Sequence, residues 1–173
     1  MNEENKINYQ PLTDEHTSFR LKWLNDPKVN YFLGIQTRQG VTEESHRKWL
    51  ERYLEDEKDG VRKLFMVEVD GTMVGTVGLT EINLDDKNAI LYIVIGEKDY
   101  WGKGIAKEAI EYIHDYAFRE LGLHKITLNV HTKNTRAIAR YEKSGYKHVG
   151  IYREQVLRDG VFEDETLMEI INK

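Results

Sequence analysis

Residues 100–106 read Tyr-Trp-Gly-Lys-Gly-Ile-Ala. Two glycines one residue apart let a chain turn tightly and approach a ligand with no Cβ in the way. A helical pattern starts at about Gly104. The first N–H groups of a helix have no partner inside it and carry partial positive charge. Successive N–H groups in such a turn form a cradle for a phosphate or pyrophosphate. Lys103 and Lys107 add positive charge at the same spot. A bare Gly-x-Gly also marks turns that bind nothing. Further on, Asn134 and Tyr141 stand seven residues apart on another helical segment. Seven residues is close to two turns, so both project from nearly one face.

Two familiar phosphate loops are excluded. No Gly-x-x-x-x-Gly-Lys-Ser/Thr is present, so this is not the nucleotide-hydrolase loop. The third glycine and the later acidic residue of the dinucleotide fingerprint are also missing. A different pyrophosphate carrier remains, with coenzyme A the leading candidate. The chain has no cysteine, which excludes disulfides, thiol nucleophiles and cysteine-ligated zinc. None of the six histidines forms a pair in the sequence pattern, and no metal site follows.

At 173 residues the chain suits one domain over 1–173 with a sizeable core. No apolar run approaches the ~20 residues that span a bilayer, so no membrane partner is expected. The start, Met-Asn-Glu-Glu-Asn-Lys, shows no apolar signal segment, and a cytoplasmic location is the default. A net charge of −5 and the lack of a basic-aromatic stripe argue against nucleic acid as a partner.

The elements that must position the loop follow from periodicity and punctuation. Ile7–Leu12 is a strand that Pro11 keeps near its end or an edge. A helix runs from Asp14 to about Leu24 with Phe19, Leu21, Trp23 and Leu24 as its apolar stripe, and Asn25-Asp26-Pro27 stops it. Thr42-Glu43-Glu44 opens a second helix that buries Trp49, Leu50, Tyr53 and Leu54. Leu64–Val69, an Asp70-Gly71 turn and Met73–Leu79 form a hairpin. The strand Ile90–Ile95 leads to the glycine loop, and a helix runs from about Gly104 to Leu121. Lys125–Val130 is the next strand. Asn134 opens a helix that Gly145 caps. Tyr152–Leu157 and Phe162–Ile170 close the chain as a hairpin. The order β-α-α, a three-strand meander, then α-β-α-β-β makes an α/β fold: a mixed sheet with helices on its faces.

Three segments in this order resemble the GNAT acyl-CoA N-acyltransferases. They are Trp101-Gly102-Lys103-Gly104-Ile105-Ala106 after a strand, Asn134-Thr135-Arg136-Ala137 through Tyr141 to Gly145-Tyr146, and the closing Arg158-Asp159-Gly160 hairpin. Leu121–Ile126 and Gly78–Asn83 look most like the ribosomal-protein and spermidine acetyltransferase branch. The clear resemblance covers residues 64–170; the first 60 residues match only in helix layout. The superfamily usually has Arg or Gln where Trp101 stands, so phosphate contacts at that point are expected from backbone and not from a guanidinium.

The resemblance implies acetyl-CoA as co-substrate, held by Trp101 to Ala106 and between two splayed parallel strands. A bulge near Val94-Ile95-Gly96 would aim N–H groups at the thioester carbonyl. Asn134 would bond the pantetheine or a water, with an N-cap role open beside it. Tyr141 would protonate the departing thiolate, since a phenol of pKa ~10 stays protonated where a thiol of ~8.5 leaves. It also reads as a half-buried helix tyrosine with a wet hydroxyl. Glu81, after the strand next to the splayed one, is the candidate base, although an exposed turn glutamate is the ordinary reading.

These readings converge on direct acetyl transfer to a primary amine, with a polyamine or a protein N-terminus favoured over an amino sugar or antibiotic amine. A non-catalytic CoA sensor is the rival. Substrate selection is assigned to residues 14–60 and to the last hairpin, where two copies of the chain would meet if it forms a homodimer.

Overall fold

The computed structural model describes residues 6–34 and 40–173. The expectation for the extreme N-terminus lies outside the described residues. The helices are α1 (Thr17–Leu24), α2 (Pro27–Asn30), α3 (Glu43–Lys58), α4 (Ile105–Asp115) and α5 (Thr135–Lys143). The strands are β1 (Ile7–Pro11), β2 (Lys63–Val69), β3 (Thr72–Asn83), β4 (Asn88–Ile95), β5 (Lys125–His131), β6 (Lys147–Arg158) and β7 (Val161–Ile171). They form one seven-stranded sheet in the order β1-β2-β3-β4-β5-β7-β6. All pairs are antiparallel except β4–β5.

The central strands are apolar on both faces because both faces are covered. One core lies under α4, where Ile105, Ala109, Ile110 and Ile113 meet Val77, Leu79, Ile126 and Leu128. A second lies under α1 and α3, where Trp23, Leu50 and Tyr53 meet Leu64, Met66 and Val94. Each fully buried aliphatic side chain stabilises the fold by about 1.5–3 kcal/mol. Thr42 starts α3 by accepting from the Ser45 N–H at 3.1 Å.

Several helix expectations needed correction. Asp14–His16 is a 3-10 turn before α1. In α1 it is Arg20, Trp23 and Leu24 that are buried, while Phe19 is exposed. Leu54 of α3 is exposed too, and His46 is buried instead. Asp26-Pro27 stops α1 but also starts α2, with Asp26 capping the Lys28 N–H at 2.8 Å. The long helix ends in a wide π turn, Tyr116–Glu120. β6 is longer than expected and forms the edge opposite β1, with Val149, Ile151 and Tyr152 exposed.

The β4–β5 seam is the feature that positions the site. Only Asn88↔Lys125, Ala89↔Ile126 and Ile90↔Thr127 are paired. Beyond Ile90 the two strands diverge, although β4 continues to Ile95 and β5 to His131.

Candidate active site

The open part of the seam exposes main-chain groups of β4. Gly96 donates to the Val74 carbonyl at 2.8 Å, so the alternation of the β3–β4 ladder turns Leu91, Ile93 and Ile95 away from β3 and toward the opening. Ladder pairing with β3 stays regular through Thr76↔Val94 and Gly75↔Ile95. The expected bulge at Val94-Ile95-Gly96 is displaced by one residue. Gly96 and Glu97 both donate to Val74, at 2.8 and 3.1 Å. Gly96 is required for another reason, since a Cβ there would lie 2.0 Å from the Trp23 ring.

The glycine loop stands at the mouth of this opening. Gly102 and Gly104 have φ of +80° and +86°, and a Cβ on either would meet nothing within 4 Å. The loop surface is therefore bare and left-handed, as a close-fitting cradle needs. Lys107 is the first N–H of α4 to find an acceptor, the Gly104 carbonyl at 2.8 Å. Those before it find no acceptor among the described residues. The Lys107 ammonium does not add charge to the cradle as expected, because Glu108 and Glu111 hold it at 3.0 Å each.

Tyr141 lies on the α4 side of the sheet, half-buried against that core. No described residue bonds its hydroxyl. Burial pushes its pKa up to about 12, so it is a full-time proton donor at neutral pH. Tyr146 braces the ring edge-on at a centroid distance of 5.8 Å, and its own hydroxyl meets His114 Nε2 on α4 at 3.2 Å. Asn134 caps α5 by accepting from the Ala137 N–H at 3.2 Å, which leaves its two amide N–H groups and one lone pair of Oδ1 for a ligand.

Residues 6–147 match the family model described as acetyltransferase (GNAT) domain. The chain belongs to the GNAT acetyltransferase family. The Bacillus subtilis (strain 168) protein named "Probable N-acetyltransferase YjcK" is 32% identical over 93% of this chain and 90% of its own length. Spermidine N(1)-acetyltransferase from Vibrio cholerae is 33% identical over 74% of each. A crystal structure of spermidine N-acetyltransferase from Vibrio cholerae, in complex with CoA and spermine, matches with a TM-score of 0.85 at 26% identity over 95% of both chains. The chain is thus an acetyl-CoA-dependent N-acetyltransferase with a GNAT fold. The family match begins at residue 6, so it reaches the N-terminal helices that the sequence motifs left out.

In this acetyltransferase α5 reaches the loop through Arg136, which lies over Trp101, Tyr141 of the same helix packs on the α4-side core, and Glu81 lies apart from both. Glu81 is exposed, has a φ of +50°, and sits at the irregularity between Thr80 and Asn83. That is beside Ile90, at the closed end of the seam. Five residues of strand, ~17 Å, separate that level from Ile95. The return strand is longer than expected, reaching Asn83 and taking in Glu81, and β3 runs from the open end toward the closed one.

Sequence reasoning also missed Arg136. Trp101 donates its indole N–H to the Ile95 carbonyl at 2.7 Å. The Arg136 guanidinium, from α5, lies 5.5 Å over the Trp101 ring. A guanidinium is therefore at the loop after all, supplied from another helix. The histidines are not solitary either. His46 meets Arg20 and His131 meets Glu163, across 26 and 32 residues of sequence. Among the described residues no group of three or more His, Asp or Glu could hold a metal ion. No described helix is long and apolar enough to cross a membrane.

Proposed function

We propose that this chain transfers the acetyl group of acetyl-CoA to a primary amine of a polyamine by direct attack. The pyrophosphate rests on the N–H groups from Gly102 to Ala106, with Arg136 beside it. The pantetheine lies along Ile93 and Ile95 in the open seam. The amine attacks the thioester carbonyl, the C–S bond breaks, and Tyr141 gives its proton to the thiolate. The amine's surplus proton passes to water; no residue is assigned as base. Positioning and main-chain electrostatics do most of the catalytic work.

The observation that carries the reading is the seam: three paired residues, then an opening with the bare glycine cradle at its mouth and an unbonded Tyr141 hydroxyl at its side. The polyamine is suggested by the spermidine acetyltransferases among the relatives, and the net charge of −5 suits a cationic acceptor.

The test is thiol release from acetyl-CoA with spermidine, compared with a neutral amino sugar. Spermidine should win at low salt. Tyr141→Phe should lower kcat by roughly 10²–10⁴ and leave acetyl-CoA affinity near its original value. A variant that keeps kcat and raises only KM would make Tyr141 a ligand-positioning group.

A further inference from the structure

A cavity of about 210 Å³ opens at the His131 end of the seam, lined by Phe32, His131, Gln155, Arg158 and Glu165 among others. His131 is on the sheet face opposite Tyr141, since Ile126, Leu128 and Val130 fill the α4 face and side chains alternate. The cavity therefore lies on the sheet face away from α4 and α5, and His131, the last residue of β5, is what it shares with the seam.

Arg158 is 6% exposed, and no hydrogen bond to a described residue satisfies its guanidinium. Its charged neighbour is Glu163, at 3.2 Å from Nε. That carboxylate is already shared with His131 Nε2 at 2.6 Å and with the Lys133 ammonium. The Lys133 N–H approaches the other ring nitrogen, His131 Nδ1, at 3.3 Å. Both of its nitrogens are occupied, which removes His131 as a base. The rings of Tyr31 and Phe32 lie 4.7 and 5.8 Å from the guanidinium carbon and hold the group by its face. Its Nε faces Glu163, while its two Nη groups bond no described residue and are not sealed from solvent, so they are the edge open to a ligand.

Glu165 stands opposite His131 in the β5–β7 register and lines the same cavity. It is half-buried and forms no ion pair with a described residue. One cavity thus holds a cation and an anion that do not pair with each other. Its volume equals roughly seven waters at ~30 Å³ each, room for an amino-acid headgroup.

We propose that this cavity is a zwitterion subsite, and that the enzyme also acetylates the ω-amine of free diamino acids. The α-carboxylate would take the N–H edge of Arg158 and the α-ammonium would take Glu165. The aminoalkyl chain would then carry the ω-amine into the seam. The chemistry is unchanged: the neutral ω-amine forms the C–N bond, the C–S bond breaks, the thiolate takes the Tyr141 proton, and the surplus amine proton goes to water. The inference rests on the acetyl-transfer reading but goes beyond its polyamine acceptor.

The experiment compares L-lysine with cadaverine and L-ornithine with putrescine, pairs that differ by one carboxylate. With acetyl-CoA and the full chain, each diamino acid should exceed its diamine in kcat/KM by about tenfold or more, as a charge-assisted bidentate contact predicts. Arg158→Lys keeps the charge but loses the fork. It should lower the lysine value at least ~10-fold and leave cadaverine within about twofold. The wild-type pairs decide the matter even if the variant is unstable. Diamines matching or beating their diamino acids overturn the subsite. Acetylation of spermidine but of neither diamino acid also overturns it while sparing the transferase. A protein that acetylates no amine overturns both.

Discussion

On the α4–α5 face of the open seam the groups on offer are main-chain N–H groups beside Gly102 and Gly104, at φ +80° and +86°. On the α1–α3 face they are buried ionisable side chains. Arg20 is 3% exposed, donates to His46 and Thr76 at 3.2 Å each, and lies 4.2 Å over Trp49. Arg158 and His131 are similarly enclosed. Neither Arg20 nor Arg158 has the saturating acceptor set that a buried guanidinium calls for. The contrast matches two different tasks. A diphosphate common to every acyl-CoA can be met by backbone, which any sequence with the right glycines supplies. Discrimination among amines needs side chains, and those carry the desolvation cost of burial.

Breaking the backbone side should have the largest effect. Gly104→Val forces a β-branched residue to φ +86°, a strain of about 1–3 kcal/mol, and fills the cradle. The free protein should melt lower. More to the point, the rise in Tm that acetyl-CoA gives the parent should vanish, with affinity down at least 100-fold. A variant that keeps the full ligand-induced rise would separate the loop from the cofactor.

The side-chain face is tested by acid. Burial, then the Arg20 charge, lowers the His46 pKa to about 4. The unfolded chain has the ordinary value of ~6.5. The folded state therefore binds fewer protons between these values, and stability is fully present above pH 6.5 and is lost as pH falls toward 4. The loss amounts to about 2–4 kcal/mol. His46→Gln should flatten this part of the curve in urea titrations at pH 7, 5.5 and 4.5. An equal slope in the two proteins would show that His46 is accessible to protons in the native state.

The smallest effect is expected at the end that belongs to neither face. Glu81→Gln should change kcat/KM by less than about twofold, because Glu81 lies where β4 and β5 are still paired. A loss of 100-fold would restore Glu81 as the base and mean that the chain closes up on binding.

The same contrast sets what could be read from the sequence. The cradle is local: two glycines, a strand before and a helix after, all within residues 90–121, and its position in the fold follows directly. Tyr141 and Asn134 are seven residues apart on one short helix. The pairs His46–Arg20, His131–Glu163 and Arg136–Trp101 join residues 26 to 35 apart through the sheet or across the seam. No periodicity encodes them. Leu54 and Phe19 satisfied the helical stripe, yet Arg20 and His46 took the buried positions because they had each other. Glu81 sits apart for a geometric reason, since the antiparallel direction of β3 puts its last residues at the closed end. The motifs mark local backbone features, and the long-range side-chain pairs follow from the topology alone.

The brevity of the β4–β5 seam also has a mechanical meaning. β1–β4 form one plate and β5–β7 another, fastened in the sheet by the clasp at residues 88–90 and 125–127. Everything beyond Ile90 and Thr127 is lever arm. A ligand wedged between Ile95 and His131 pushes where its leverage on the clasp is greatest, and α4, packed on β3 and β4 and sharing a core with β5, is the spring that resists.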